Sequence, residues 1–174
     1  MEKIKDRERF LFRYVFEFVV AGFVGWLYEV ATVWIMWHYF SNRGILHLPI
    51  VPIYSVGAFL LLIILRKKLN PVILFLSAVV ITTVFELGSS YLLEFIFHKQ
   101  FWTYETWWFS ILDRSSLVSS AIFGLMAVLY FYGLHPLSEK ISRKVPKKAC
   151  IIISITVTAV ILTDLIISVT ALLK

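Results

Sequence analysis

Apolar residues run along this chain in blocks of about twenty or more, separated by short polar punctuation. A hydrocarbon layer about 30 Å thick needs roughly 20 apolar residues per crossing helix, so the spacing predicts membrane-spanning helices. The first block predicts a helix over 11–37, behind a charged lead that carries Lys3, Lys5, Arg7 and Arg9. It is too long for a cleavable signal and has no small-x-small exit, so it is expected to remain as the first helix. A short helix over 50–65 ends at Arg66, Lys67 and Lys68; Asn70 and Pro71 then open a helix over 70–97. Helices over 115–134 and 149–173 flank a basic connection at 138–148. The expected class is all-α: one integral membrane domain over 1–174, a polytopic bundle of about five transmembrane helices.

One stretch does not fit a plain helix. Residues 44–54 are apolar but interrupted by Pro49 and Pro52. Broken backbone at membrane depth is tolerated only where protein or a watery cavity satisfies it, which would make this a re-entrant loop. The alternative is an ordinary loop with proline in the first turn of the next helix.

Composition agrees with the block pattern. Hydrophobic residues make up 60% of the 174 and charged residues 16%, against about 25% charged in a soluble domain. The net charge of +6 would suggest nucleic acid in a soluble protein. Here the positive residues lie between apolar blocks, where topology and lipid headgroups account for them; membrane lipids are expected partners and nucleic acid is not. Thirteen of the 17 Lys and Arg fall before the first helix or in its first turn, at 66–68 and at 138–148; Arg43, Lys99, Arg114 and Lys174 are the other four. The positive-inside rule then sets the N-terminus in the cytoplasm and the C-terminus outside. No G-x-x-x-x-G-K-[S/T] is present, so an ATP-driven role would need a separate ATPase or transport subunit. Enclosing a pathway with five helices would call for such a partner or a homo-oligomer. Cys150 reads as a small structural residue, no cofactor is expected, and His38, His47, His98 and His135 lack metal-site spacing and read as interfacial.

Ionisable residues inside a membrane are costly and face protein or a cavity. Glu29, Glu86 and Glu94 are therefore the leading candidates, joined by Arg43, Asp113 and Arg114 from the two outer connections. This set is expected to converge in the outer half of the membrane, with no comparable set in the cytoplasmic halves. Thr82, Glu86, Ser90 and Glu94 repeat every four residues on one helical face, as do Gly22, Gly25 and Glu29 at spacings of three and four. Ser116, Ser120 and Gly124 form a small-residue stripe for close helix packing. Trp102, Tyr104, Trp107 and Trp108 read as an interfacial aromatic belt. Glu17 is either solvated or paired with Arg13, and Asp164 must find a partner. Two readings of the Glu/Arg set stand open: braces for the fold, or substrate-binding and proton-coupling groups.

At these positions the chain resembles the small bacterial membrane proteins called ABC-transporter permeases, type IV, of the CmpB kind. Gly25, Trp26 and Glu29 match its G-W-x-x-E. Asn42, Arg43, Gly44, Pro49, Pro52, Ile53, Tyr54, Gly57 and Ala58 match the family's N-R-G and G-P-x-x-P-I-Y-G stretch, with Leu48 and Ser55 standing where the family has glycine. Thr83, Glu86 and Glu94 match its membrane acids, Trp102 and Tyr104 its W-x-Y, and Asp113 and Arg114 its G-R pair with an acid in place of glycine. Phe123, Gly124, His135 and Pro136 complete the series. The resemblance implies a multi-pass protein of the bacterial cytoplasmic membrane, with Asn42, Pro49, Pro52, Tyr54, Trp102 and Tyr104 supporting the charged set. The expected function is transport: a permease-like subunit that handles a small polar or anionic solute. A membrane enzyme for a lipid or lipid-linked phosphate, and a non-catalytic assembly partner, stand as alternatives.

Overall fold

A computed structural model describes residues 7–65 and 69–173. The lead at Lys3 and Lys5, the basic stop at Arg66, Lys67 and Lys68, and Lys174 lie outside the described residues. In chain order the elements are α1 (Arg7–Trp37), α2 (Pro52–Ile64), α3 (Pro71–Phe97), β1 (Ser110–Ile111), β2 (Ser115–Ser116), α4 (Leu117–Leu129), a π-helical turn (Tyr130–Leu134), α5 (His135–Lys144) and α6 (Lys147–Leu172). Among the described residues, four helical runs are long and apolar enough to cross a membrane: α1, α3, the continuous run Leu117–Lys144, and α6. With 13 residues, α2 is about 20 Å long, short of the hydrocarbon thickness.

Two features depart from the expected helices. The fourth helix does not stop before Pro136 but continues to Lys144 and takes in much of the basic connection. A proline inside a helix clashes with the carbonyl four residues earlier, and the π-helical turn just ahead of Pro136 alters the hydrogen-bond pattern there. The second departure is a small antiparallel hairpin that pairs Ser110 with Ser116 and Ile111 with Ser115. Its turn holds Leu112 and Asp113 at φ 52° and 56°, a conformation that bulky residues rarely adopt. Nothing in the local sequence resembles the Asn-Gly or Asp-Gly turns that announce hairpins.

The chain divides into two compact units, residues 1–56 with 134–174, and residues 57–133. In the first, α1 packs against α5 and α6. The proline-containing segment lies along α1, with Leu46, Ile50 and Val51 buried. Several of its backbone groups find partners in the protein. The Val51 amide donates to the Gly22 carbonyl at 3.0 Å, the Leu48 amide to Asp164 at 2.9 Å, and the Asn42 side chain to the His47 carbonyl at 3.3 Å. Ser55 Oγ donates to the Phe18 carbonyl at 2.6 Å. Gly22 and Gly25 make this approach possible. A Cβ on Gly22 would lie 2.5 Å from Ile50 Cγ2, and one on Gly25 only 2.2 Å from Tyr54 Cγ. The glycine face of α1 thus receives the broken segment and the first turn of α2.

In the second unit α3 packs on α4. Leu74, Ala78, Thr82, Glu86 and Ser90 form one buried stripe at four-residue spacing, which extends the polar face expected from sequence. Ser119, Ser120, Gly124 and Ala127 are buried on α4. Thr83 Oγ1 and Ser120 Oγ are 2.6 Å apart, and a Cβ on Gly124 would lie 2.8 Å from Val79 Cγ2. Asn70 caps α3 by accepting from the Val72 amide, and Ser116 and Ser119 cap α4 reciprocally.

Because Tyr54 occupies the space beside Gly25, Gly25→Val should overpack α1 against the α2 entry and cost about 1–3 kcal/mol. Gly88, where an added Cβ would meet nothing within 4 Å, should accept alanine without loss. Melting temperatures of the two variants in one detergent would check the contrast.

Candidate functional site

Each unit carries its own acid–arginine group. In the first, Glu29 projects from the C-terminal half of α1, and Arg43 Nε donates to its carboxylate at 3.3 Å. The Arg43 and Glu29 side chains keep 34% and 23% of their surface exposed, so the pair is not sealed in protein. Tyr54, held against Gly25, gives its hydroxyl to the same carboxylate. Asn42 steadies the loop from the other side by accepting from Trp26 Nε1 at 2.6 Å.

In the second unit Glu86 is buried at the middle of the α3 stripe. Its two oxygens accept from the hydroxyls of Tyr104 and Ser115, both at 2.6 Å, and Ser119 Oγ stands 3.5 Å away. Two turns further along α3, Glu94 meets Arg114 at 2.5 Å. Arg114 also donates to Ser90 Oγ at 3.0 Å and lies over the Tyr91 ring, 4.2 Å from its centroid. The hairpin positions these partners: the Tyr104 amide donates to the Asp113 carbonyl, and Trp102 Nε1 donates to the Arg114 carbonyl at 3.1 Å.

Several expectations change at this level. Trp102 and Tyr104 do not serve as belt residues, because their polar ends are turned to Arg114 and Glu86; Trp108, 81% exposed, fits the belt reading. Asp113 stands away from the acid–arginine groups, exposed in the hairpin turn, where its carboxylate accepts from Ser110 at 3.1 Å. Pro52 opens α2 and Pro49 sits in the preceding irregular segment. Asp164 finds its partner in His47, at 2.8 Å, so His47 ties the loop to α6 and is not merely interfacial.

A second charged set, which the sequence did not lead us to expect, lies at the N-terminal end of α1, away from Glu29. Glu17 is fully buried, which excludes the solvated reading, and it accepts from Arg13 Nε at 3.0 Å. His135 Nδ1 stands 3.0 Å from the same carboxylate, Ser138 Oγ donates to it, and Arg13 reaches Glu139 at 3.4 Å. Arg13 and Glu17, four apart on one face, were the sequence signal available; their partners on α5 become visible only when that segment folds as helix. Ser115 and Ser119 were also missed, since a serine beside a carboxylate carries no pattern of its own. Among the described residues, no group of three or more His, Cys, Asp or Glu could hold a metal ion.

Comparison with known proteins adds one finding. The family model described as "Putative ABC-transporter type IV" (CmpB) matches residues 16–169, a span that includes the Glu29–Arg43 and Glu94–Arg114 pairs and the Glu86 site but not Arg13. No curated protein and no solved structure matched the chain. With nearly its whole length matched, the chain belongs to the CmpB-type ABC-transporter type IV family of permease-type membrane transport proteins.

Proposed function

We propose that this chain is the membrane subunit of a transport system for a small polar or anionic solute, with Glu86 as its proton-coupling residue. Family membership implies work beside an ATPase subunit, consistent with the missing phosphate-binding loop. The observation that carries the reading is the setting of Glu86. A hydroxyl can donate or accept, so Tyr104 and Ser115 donate to the carboxylate as it stands and could accept from Glu86 once it is protonated. Arg43 and Arg114 suit an anionic solute, because the guanidinium fork matches carboxylate and phosphate oxygens. The partly exposed Glu29–Arg43 pair is one that such a solute can open by competing for the arginine.

The proposal includes a fifth crossing made in two pieces. The irregular segment up to Val51 follows α1 from Glu29 toward Gly22, near the midpoint of that helix, and α2 continues from there for about 20 Å. Irregular backbone at this depth is admissible because α1, Asp164 and Asn42 satisfy it. Five crossings, with the basic-rich connections inside, put the N-terminus in the cytoplasm, the C-terminus outside, and Glu29, Glu86 and Glu94 in the outer half. Reporter fusions should find the two ends on opposite sides; both ends on one side would exclude the fifth crossing.

Glu86→Gln keeps an acceptor for the hydroxyls, so its melting temperature should stay within a few degrees of wild type while the pH dependence of anion binding disappears. Glu86→Leu strands buried donors and should cost about 1–3 kcal/mol. The measurement is thermal stability in nanodiscs beside equilibrium binding of small anions, inorganic phosphate first, from mildly acidic to mildly alkaline buffer. A large stability loss in Glu86→Gln with unchanged binding would make Glu86 a brace and refute the proposal.

A further inference from the structure

The polar side of α5 is turned inward. Ser138 and Ser142 are fully buried, and Glu139, the sole acid in 135–148, is drawn to Arg13 at 3.4 Å and Arg143 at 2.9 Å. What remains for the outer side is unusual for a surface helix. Leu137, Lys140 and Lys144 lie three and four residues apart and so share one face; Leu137 is 50% exposed and both lysines are exposed. Arg143 is exposed beside them, and after the short break at Val145 and Pro146 come Lys147 and Lys148, also exposed, in the first turn of α6. Within one further turn the α6 surface becomes apolar, with Ile151 and Ile152 exposed. Five cations are therefore held in a narrow band, with exposed apolar side chains on the same two helices.

We infer that this band is a binding surface for anionic phospholipid headgroups. Exposed apolar side chains beside a cationic row match the boundary between acyl chains and headgroups, where a lysine stem lies on hydrocarbon and its ammonium reaches the phosphate layer. A cluster of four to eight basic residues beside a transmembrane helix attracts anionic lipid, and each cation adds to the preference. Glu139 is shared between Arg13 and Arg143, so it offsets part of the Arg143 charge and the four lysines carry most of the band. Leu137, Ile151 and Ile152 favour a lipid layer over the acidic face of a partner subunit, which would match the lysines but not the apolar margins. The inference is independent of membrane orientation and of the Glu86 proposal.

The test uses the full-length protein in nanodiscs of phosphatidylcholine alone or mixed with phosphatidylglycerol, with lipid retention read by native mass spectrometry after release. Wild type should retain phosphatidylglycerol over phosphatidylcholine. The quadruple variant K140Q/K144Q/K147Q/K148Q should lose that preference by about tenfold or more, whereas Lys99→Gln, from the other polar connection, should keep it. High salt should weaken the wild-type preference, because exposed charges are screened; this arm holds even if the quadruple variant fails to fold. Unchanged phosphatidylglycerol retention in the quadruple variant, or a salt-insensitive wild-type preference, would overturn the inference. So would a quadruple variant that retains phosphatidylglycerol but loses only association with an ATPase subunit.

Discussion

Every polar group placed at membrane depth must find its partner inside the protein, because hydrocarbon offers none. This requirement organises the chain more than any apolar contact does. The irregular segment after α1 holds together because the Gly22 carbonyl, Asp164 and Asn42 take up its backbone groups. Gly22 and Gly25 are the condition for that arrangement, since a side chain at either would push the segment away from α1 and leave its amides unpaired. Pro49 and Pro52 fit the same scheme: residues without an amide hydrogen place no demand where donors are hardest to satisfy.

The same requirement sorts the charged residues into distinct chemical settings. Glu29 and Glu94 each face an arginine. Glu17 sits in a closed network of Arg13, His135 and Ser138, the kind of buried pair whose rupture is costly and whose natural role is to hold helices together. Glu86 accepts from two hydroxyls, those of Tyr104 and Ser115, and the proposed proton-coupling role rests on that setting. A tyrosine serves both Glu29 and Glu86, yet the two arrive by different routes: Tyr54 from the first turn of α2, Tyr104 from the connection that carries the hairpin.

Much of this was legible in the sequence. Block length fixed α1, α3 and α6 to within a few residues, because crossing a hydrocarbon layer is a constraint on length and composition alone. The four-residue repeat from Thr82 to Glu94 located the polar face of α3, and the small residues of α4 announced a close helix contact without naming its partner, because helical periodicity is local. The cost of a charge in the membrane singled out Glu29, Glu86 and Glu94 and required a partner for Asp164 without naming it.

Tertiary structure decided what periodicity cannot express. A π-helical turn carries the fourth helix past Pro136, and only then do His135, Ser138 and Glu139 meet Arg13 and Glu17 across more than a hundred residues. The hairpin, held by left-handed backbone at Leu112 and Asp113, moves Asp113 into a turn and brings Ser115 and Tyr104 to Glu86. Trp102 and Tyr104 look like belt residues in the sequence because aromatic composition at an interface is the same whichever way the rings point; only the fold turns these two inward. The sequence alone thus determined which residues could not face lipid unaided, since that follows from the transfer cost of each side chain. Which partner relieved each of them depended on long-range geometry, because a hydrogen bond is set by direction and distance that no local pattern encodes.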